Sequence, residues 1–209
     1  MSSLFDSLVR YGDVFSLNDT LDYLKFQEGI NIFDDKWVRY NPRKPIERYG
    51  LSITSLDGKF SGIPDLDSIK EYNRENNLTL GESDFATLTD FWPHVESVLS
   101  RFKNHLGRTH VIKMPAGGHF PSHRDYYDRE VTECRLFIPV YNCNPPHNYF
   151  ILDGKIINFE QGRLYFLNTC KEHIVFTTSN ESMFIVANIL LTEESVDLIL
   201  HNMHATWPR

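Results

Sequence analysis

Residues 148–168 read NYFILDGKIINFEQGRLYFLN, and this stretch decides the fold class. Three short apolar runs are separated here by the turn signals Asp153-Gly154 and Gln161-Gly162. An Asp-Gly pair between two apolar runs is a strong signal for a two-residue β-hairpin, because both residues tolerate the positive φ that the turn needs. The stretch therefore predicts a β-hairpin followed by a further strand.

Short apolar runs of the same kind continue on both sides of this hairpin. Turn signals such as Ala-Gly-Gly and Asn-Pro-Pro separate them, and they occupy residues 110–114, 135–140, 173–177 and 183–191. Short strands at this regular spacing are typical of a β-sandwich or a small barrel. An aromatic content of 13%, with 15 Phe and 10 Tyr, also favours β structure and a pocket lined by rings.

The chain of 209 residues suits a single domain, residues 1–209, with three parts. We predict that residues 1–107 form a helical and loop-rich N-terminal flank and that residues 108–191 form the β core. Residues 192–209 are predicted to form a C-terminal helix, with Thr192 as its N-cap, and a tail. The fold class that follows is mainly β with flanking helices (α+β).

Two helices are expected within the flank. Residues 64–77 have a Pro start and charged spacing, which indicate a short helix. Residues 81–107 carry apolar side chains at steps of three and four, which predicts an amphipathic helix. We expect Pro93 to interrupt that helix and Gly107 to end it.

Composition limits the cellular compartments and the classes of binding partner that we expect. The formal net charge of −7 disfavours a general electrostatic grip on nucleic acid or on an anionic membrane. The cysteines, Cys134, Cys143 and Cys170, are odd in number and form no CxxC, so we expect free thiols in a reducing, cytoplasmic compartment. The first residues, MSSLFDSLVRYGDVF, lack the pattern of a signal peptide, and no apolar run is long enough to span a membrane. A small-molecule or peptide substrate is the expected partner.

Residues 119–128, HFPSHRDYYD, contain the first candidate for chemistry. Residues i and i+2 of a strand point the same way, so His123 and Asp125 would aim an imidazole and a carboxylate at one point. Two ligands hold a divalent metal poorly, and a second histidine is needed. The downstream candidates are His147, His173, His201 and His204.

His173 is the best placed of these candidates, because it opens an apolar strand, whereas His147 sits in a Pro-Pro turn. Two histidines and one carboxylate, with the other positions open, are the arrangement that non-haem Fe(II) oxygenases use. The residues alone leave open whether His123, Asp125 and His173 bind a metal or lie in a solvated turn.

A longer pattern resembles a known family. The segments KMPAGGHFPSHRD, RLFIPV, NYFILDGKIINFEQGRLYFLN and KEHIVF resemble, in this order, the aspartyl/asparaginyl β-hydroxylase-like branch of the 2-oxoglutarate oxygenases. Bacterial free-proline cis-hydroxylases are the most similar in pattern, and the match spans about residues 108–191. The resemblance implies a double-stranded β-helix (jelly-roll, cupin-like) core, Fe(II), and 2-oxoglutarate and O₂ as co-substrates.

The resemblance also assigns roles to residues. His123, Asp125 and His173 match the metal ligands, and Arg135 matches an arginine that lines the co-substrate pocket. Asn168 lies where the family also has a polar residue, and we expect it to support the metal site.

Two departures from the family pattern concern the far carboxylate of 2-oxoglutarate. The family usually has an arginine ten residues after the distal histidine, and Met183 stands there in this chain. The histidine of the family's R-L-H-I-P strand is replaced by Phe137. Another cation could take over, namely Arg135, Lys113 or Arg163; the pocket could accept a different co-substrate; or the site could bind metal without normal turnover.

The resemblance favours an oxygenase that hydroxylates an unactivated C–H bond of an amino acid, a peptide or a protein side chain. The alternative is a cupin-like protein that binds a metal or a small acid without turnover, and a cupin-type isomerase or lyase is a third hypothesis. A basic and aromatic cluster could hold a substrate carboxylate, although we expect a solvated loop there. Its members are Arg43, Lys44, Arg48 and Tyr49.

Overall fold

The computed structural model describes residues 3–126 and 130–204, and within them the core is a double-stranded β-helix. The predicted tail at 205–209 lies outside the described residues. The described helices are α1 (Ser3–Val9), α2 (Tyr23–Ile32), α3 (Ile69–Asn76), α4 (Glu96–Leu99) and α5 (Glu193–His201), with short 3₁₀ segments at Asp34–Lys36, Glu82–Asp84, Trp92–His94 and Ser100–His105.

The strands follow one another closely after residue 105. The described residues form β1 (Val14–Thr20), β2 (Val38–Arg39), β3 (Tyr49–Ser52), β4 (Thr54–Ser55), β5 (Thr87–Leu88), β6 (Leu106–Met114), β7 (His119–His123), β8 (Glu133–Tyr141), β9 (Asn148–Leu152), β10 (Lys155–Ile157), β11 (Arg163–Leu167), β12 (His173–Thr177) and β13 (Ser182–Leu190). The mainly β fold class predicted from the sequence is confirmed.

Two antiparallel sheets build the core. The larger has the strand order β1-β11-β8-β13-β6-β3-β2, and the smaller has the order β10-β9-β12-β7. Strands β4 and β5 form a separate pair. Every second side chain of these strands points into the space between the larger and the smaller sheet, because successive residues of a strand point to opposite sides.

The hairpin predicted around Asp153 and Gly154 is present. Leu152 of β9 pairs with Lys155 of β10, which leaves Asp153 and Gly154 as the two turn residues. Both have positive φ, 50° and 76°, as the tight hairpin turn requires. The predicted short helix is also present as α3, and Thr192 caps α5 by accepting a hydrogen bond from the Ser195 N–H.

The prediction of one long helix over residues 81–107 is wrong. The segment is divided into 3₁₀ turns, the short α4 and strand β5, and Gly107 lies inside β6 instead of ending a helix. The hydroxyl of Thr89 donates to the backbone carbonyls of Ser52 and Ile53, which holds this stretch against the large sheet. Side-chain bonds of this kind compete with helix formation, and Pro93 removes a further helical donor.

The N-terminal flank also contributes more strand than predicted. Strands β1, β2 and β3 extend both edges of the large sheet, with β1 against β11 and β3 against β6. A hydrophobic cluster that includes Phe15, Phe91 and Phe102 packs helices and turns on the outer face of this sheet. A second cluster, which includes Phe137 and Phe150, lies between the sheets. Within the described residues, none of the helices is long and apolar enough to cross a membrane.

Candidate metal centre and its cavity

The three residues predicted to bind metal come together at one end of the small sheet. His123 ends β7 and lies opposite His173, the first residue of β12. Asp125 follows in a turn that is fixed by its own N–H, which donates to the Thr169 carbonyl at 2.9 Å. One ligand atom from each side chain lies within 4.8 Å of the others, and the His123 Nε2 to Asp125 Oδ1 distance is 3.8 Å. The geometry therefore suits a shared ion.

Both imidazoles have the ring nitrogen that faces the backbone already engaged. Nδ1 of His123 lies 2.7 Å from the Pro121 carbonyl, and Nδ1 of His173 lies 3.0 Å from the Lys171 carbonyl. A carbonyl only accepts, so each Nδ1 must donate, and in the neutral ring each Nε2 keeps a lone pair. Burial and the neighbouring His123 lower the pKa of His173, which favours the neutral form that a metal needs.

The two carboxylate oxygens of Asp125 face different residues. Oδ1 faces His123, while Oδ2 accepts a hydrogen bond of 2.9 Å from Nε of Arg135. Burial alone would raise the pKa of Asp125, but the charge and hydrogen bond of Arg135, with smaller effects from the two histidines, lower it to about 2. The carboxylate is therefore ionised at neutral pH, with one oxygen left for an ion.

A row of polar side chains continues behind Asp125 into the core. Arg135 donates to Oδ1 of Asn188, and Nδ2 of Asn188 donates to Oε2 of Glu82 at 2.6 Å. Arg108 closes the row with two hydrogen bonds to the Glu82 carboxylate, at 2.9 and 3.0 Å. We call these five residues the Asp125 network. It gives Arg135 a role that the sequence did not suggest, which is to hold the Asp125 carboxylate in place.

Replacing Asn188 with alanine should destabilise the protein by about 1–3 kcal/mol, because the buried Glu82 oxygen and an Arg135 N–H would each lose a partner. Chemical denaturation measures the free energy of unfolding. Asn180, which is exposed and bonded to His147, offers a control in the loop between β12 and β13, and its replacement by alanine should change stability by less than about 0.5 kcal/mol. Equal effects of the two changes would contradict the structural role of Asn188.

A cavity of about 340 Å³ extends from the three candidate ligands between the two sheets. Apolar and aromatic side chains make up most of its wall, and a few polar groups face it, which is usual for small-molecule sites. Its lining includes Tyr40, Asn41, Arg48, His110, Phe120 and Phe184.

The three cations predicted to hold the far carboxylate have different positions. Arg135 lines the cavity, but its Nε and one terminal nitrogen are engaged by the Asp125 network. Lys113 lies on the opposite face of β6 from the cavity, with Nζ 4.3 Å above the Trp37 ring. Arg163 binds the Glu160 carboxylate away from the cavity. The placements of Lys113 and Arg163 therefore disagree with the predicted role.

The strand that carries the anchoring arginine in the resembled family presents an apolar face to this cavity. Met183 points to the outer side of the large sheet, where it packs in the larger hydrophobic cluster. Its neighbour Phe184 faces the cavity instead, with its ring 5.0 Å from that of Phe137. Phe137 of β8 and Phe184 of β13 therefore present apolar rings to the cavity where a cation was expected.

Asn168 does not contact the candidate ligands. Its Nδ2 donates to the Asp13 carboxylate at 2.7 Å, and its N–H donates to the Asp13 carbonyl, so it fastens the β11–β12 loop to the flank. The neighbouring Thr169 holds Asp125 through its backbone carbonyl. The support that we expected from Asn168 is therefore indirect.

No family model and no curated protein matches the chain in sequence. Among solved structures, a Pseudomonas putida prolyl-4-hydroxylase is 13% identical, with a TM-score of 0.50 over 90% of this chain and 97% of that one. An oxidoreductase of the 2OG-Fe(II) oxygenase family from Burkholderia pseudomallei is 13% identical, with a TM-score of 0.46 over 91% and 92%. A protein described as a predicted oxalate decarboxylase from Thermotoga maritima is 18% identical, with a TM-score of 0.34 over 44% and 74%.

These likenesses bear on the fold alone. The prolyl-4-hydroxylase covers nearly the whole of this chain, so the double-stranded β-helix with its N-terminal flank is an arrangement that an enzyme of that kind also has. At this identity, fold does not carry function, which has to be argued from the site. The resemblance to the aspartyl/asparaginyl β-hydroxylase-like branch stays a prediction.

Proposed function

We propose that the protein is a non-haem Fe(II)- and 2-oxoglutarate-dependent oxygenase that hydroxylates an unactivated C–H bond. One observation carries this proposal: His123, Asp125 and His173 gather at a largely apolar cavity with both Nδ1 atoms engaged, which leaves two Nε2 atoms and one carboxylate oxygen as ligands. This donor set is the one that non-haem Fe(II) oxygenases use.

The residues present fit such an ion. Two neutral imidazoles and one carboxylate give three protein ligands, whereas a closed structural zinc site has four. Among the described residues, the group close enough together to hold one ion has three members, so further coordination positions would face the cavity. Bound Fe(II) would supply the one-electron and O₂ chemistry that side chains lack.

The other residues of the site would position and shield the reactants. His123 and His173 would bind through Nε2, and Asp125 would bind through Oδ1 while Arg135 holds Oδ2. The apolar wall would exclude water from the substrate carbon. The cavity volume suits an amino acid, or one side chain of a peptide or protein that reaches in from outside.

Turnover of 2-oxoglutarate tests this function. Purified protein, loaded anaerobically with Fe(II) and then given O₂, 2-oxoglutarate and a panel of amino acids and peptides, should form succinate together with a hydroxylated product. Asp125→Ala protein is the control and should form neither. Absence of succinate with every panel member, together with no binding of 2-oxoglutarate to the metal-loaded protein, would refute the proposal.

A second candidate function is metal or small-acid binding without turnover, as in some cupin-like proteins. The apolar side chains of Phe137 and Phe184 favour it, because they face the cavity from the strands where the resembled family has polar groups. This candidate predicts that metal and an acid bind while succinate stays at the level of the Asp125→Ala control.

A further inference from the structure

Arg48 is a buried cation. The residue is 3% exposed, and its Nε has no hydrogen-bond partner among the described residues. The guanidinium lies 4.1 Å from the centre of the Phe120 ring and 5.3 Å from that of Tyr40. Burial lowers the pKa of Arg48, and Tyr40 opposes this effect only in part. Arginine is almost never buried in this way unless it is paired.

The other arginines on this side of the molecule are paired. Arg108 binds the Glu82 carboxylate, Arg135 binds Asp125, and Arg43 binds Asp67 and Glu75. Arg48 lines the cavity, as Arg135 does, but no carboxylate of the described residues binds it, so a ligand could approach it. The two aromatic rings offer cation–π attraction, which is weaker than a charged hydrogen bond to a carboxylate.

Two further buried polar atoms of residues that line the cavity have no hydrogen-bond partner among the described residues. They are Nδ1 of His110 and Oδ1 of Asn41, and both residues line the same cavity. Burial, together with the charges of Arg108 and Arg135, lowers the pKa of His110 well below its usual range, so this ring is neutral. Together with Nε of Arg48, these atoms give the cavity wall three polar groups with which a polar ligand could pair.

The distance from Arg48 to the candidate metal ligands suits a short dicarboxylic acid. Arg48 lies over Phe120, which is on the same strand as His123. The register of β7 shifts here, so that His123 lies opposite His173 and Phe120 opposite Val175, and the two residues are about 7 Å apart along the sheet. An acid that chelates a metal at His123 through its oxo and first carboxylate groups would extend along the cavity toward Arg48.

Resting on the function proposed above, we propose that Arg48 binds the far carboxylate of the oxo acid co-substrate. It takes the place of the cation that β13 does not present to the cavity, where Phe184 stands. The planar guanidinium can donate two parallel hydrogen bonds to a carboxylate, and the surrounding rings exclude water from this pair. The anion is thus recognised from the N-terminal flank instead of from the core strands.

Binding of two acids that differ at one end tests this assignment. The acids are 2-oxoglutarate and 2-oxopentanoate, which has the same carbon chain with a methyl group in place of the far carboxylate. Calorimetry on Mn(II)-loaded protein measures both affinities without turnover. The variants are Arg48→Met, Arg48→Lys and, as control, Arg39→Met, which removes an exposed arginine of β2 that is not among the residues lining the cavity.

Wild-type protein should prefer 2-oxoglutarate. Arg48→Met should weaken 2-oxoglutarate binding by about 10–100-fold and leave 2-oxopentanoate binding within about 2-fold, since one charged hydrogen-bonded pair is lost. Arg48→Lys should retain part of the preference, and Arg39→Met all of it. Metal-free Arg48→Met protein should melt no lower than wild type, because an unpaired buried charge is removed; a structural role would lower the melting temperature.

The failures can be told apart. Wild-type protein that binds Mn(II) but neither acid overturns the oxygenase function and this assignment together. If wild-type protein prefers 2-oxoglutarate and Arg48→Met protein keeps the same preference, the Arg48 assignment alone is overturned. If Arg48→Met weakens the binding of both acids equally and also lowers the melting temperature, Arg48 has a structural role, and the assignment is again overturned.

Discussion

Alanine in place of His173 should weaken the binding of Fe(II) or Co(II) by more than about 100-fold. Loss of groups that merely orient metal ligands costs about 10–100-fold in affinity, and His173 supplies one of three ligand atoms itself. Its Nε2 is available because Nδ1 is engaged by the Lys171 carbonyl. Titration with Co(II) under anaerobic conditions, followed by visible absorption, measures the change.

His147→Ala is the matched control for this experiment. His147 was another candidate from the sequence, but it is half-buried, bonded to Asn180 and outside the group of candidate ligands. Its replacement should leave Co(II) affinity unchanged. Because His173 is buried, thermal melting of both variants must first show that each is folded. Folded His173→Ala protein with wild-type affinity would contradict the three-ligand site.

Methionine in place of Arg135 should destabilise the metal-free protein by about 3–5 kcal/mol at neutral pH. The change leaves the Asp125 carboxylate buried without its ion-pair partner, which is the costly way to break such a pair. Denaturant unfolding in the presence of a chelator measures the loss. Arg163→Met, which breaks a pair with the mostly exposed Glu160, should cost less than about 1 kcal/mol.

The destabilisation should also depend on pH. The pKa of Asp125 is about 2 in the folded protein and 3.8 in its ordinary state, so ionised Asp125 stabilises the wild type above about pH 4. That contribution is lost as the pH falls toward 2. The difference between wild type and Arg135→Met should therefore be largest near neutrality and shrink below about pH 4. A difference that is independent of pH would mean that the Arg135 stem, and not its charge, supports the fold.

The β core could be predicted from sequence because its signals are local. The Asp153-Gly154 turn, the short apolar runs and the start of β12 at His173 each depend on residues close together in the chain. The convergence of His123 and His173 then follows from the pairing of β7 with β12. Period-two alternation also decides which side chains face inward.

The features of the fold and the site that were not predicted depend on contacts between residues far apart in the chain. Glu82 and Asn188 are separated by 106 positions, and no pattern at either site predicts their hydrogen bond. Arg48 belongs to a segment that we expected to be a solvated loop, and its burial follows from the neighbouring strand β3 lying beside β6. The apolar spacing of residues 81–107 was real, but these side chains reach the outer cluster from separate short turns.

The Asp125 network has a consequence for protein engineering. Glu82 comes from the first half of the chain, whereas Asn188 and Arg135 come from the second, and one row of hydrogen bonds joins them. A shortened chain that began at β6 would lose Glu82, so Arg108 would be left as an uncompensated charge. The β-helix that carries the candidate metal centre is therefore not self-contained, and transferring this site to another scaffold would require transferring the flank as well.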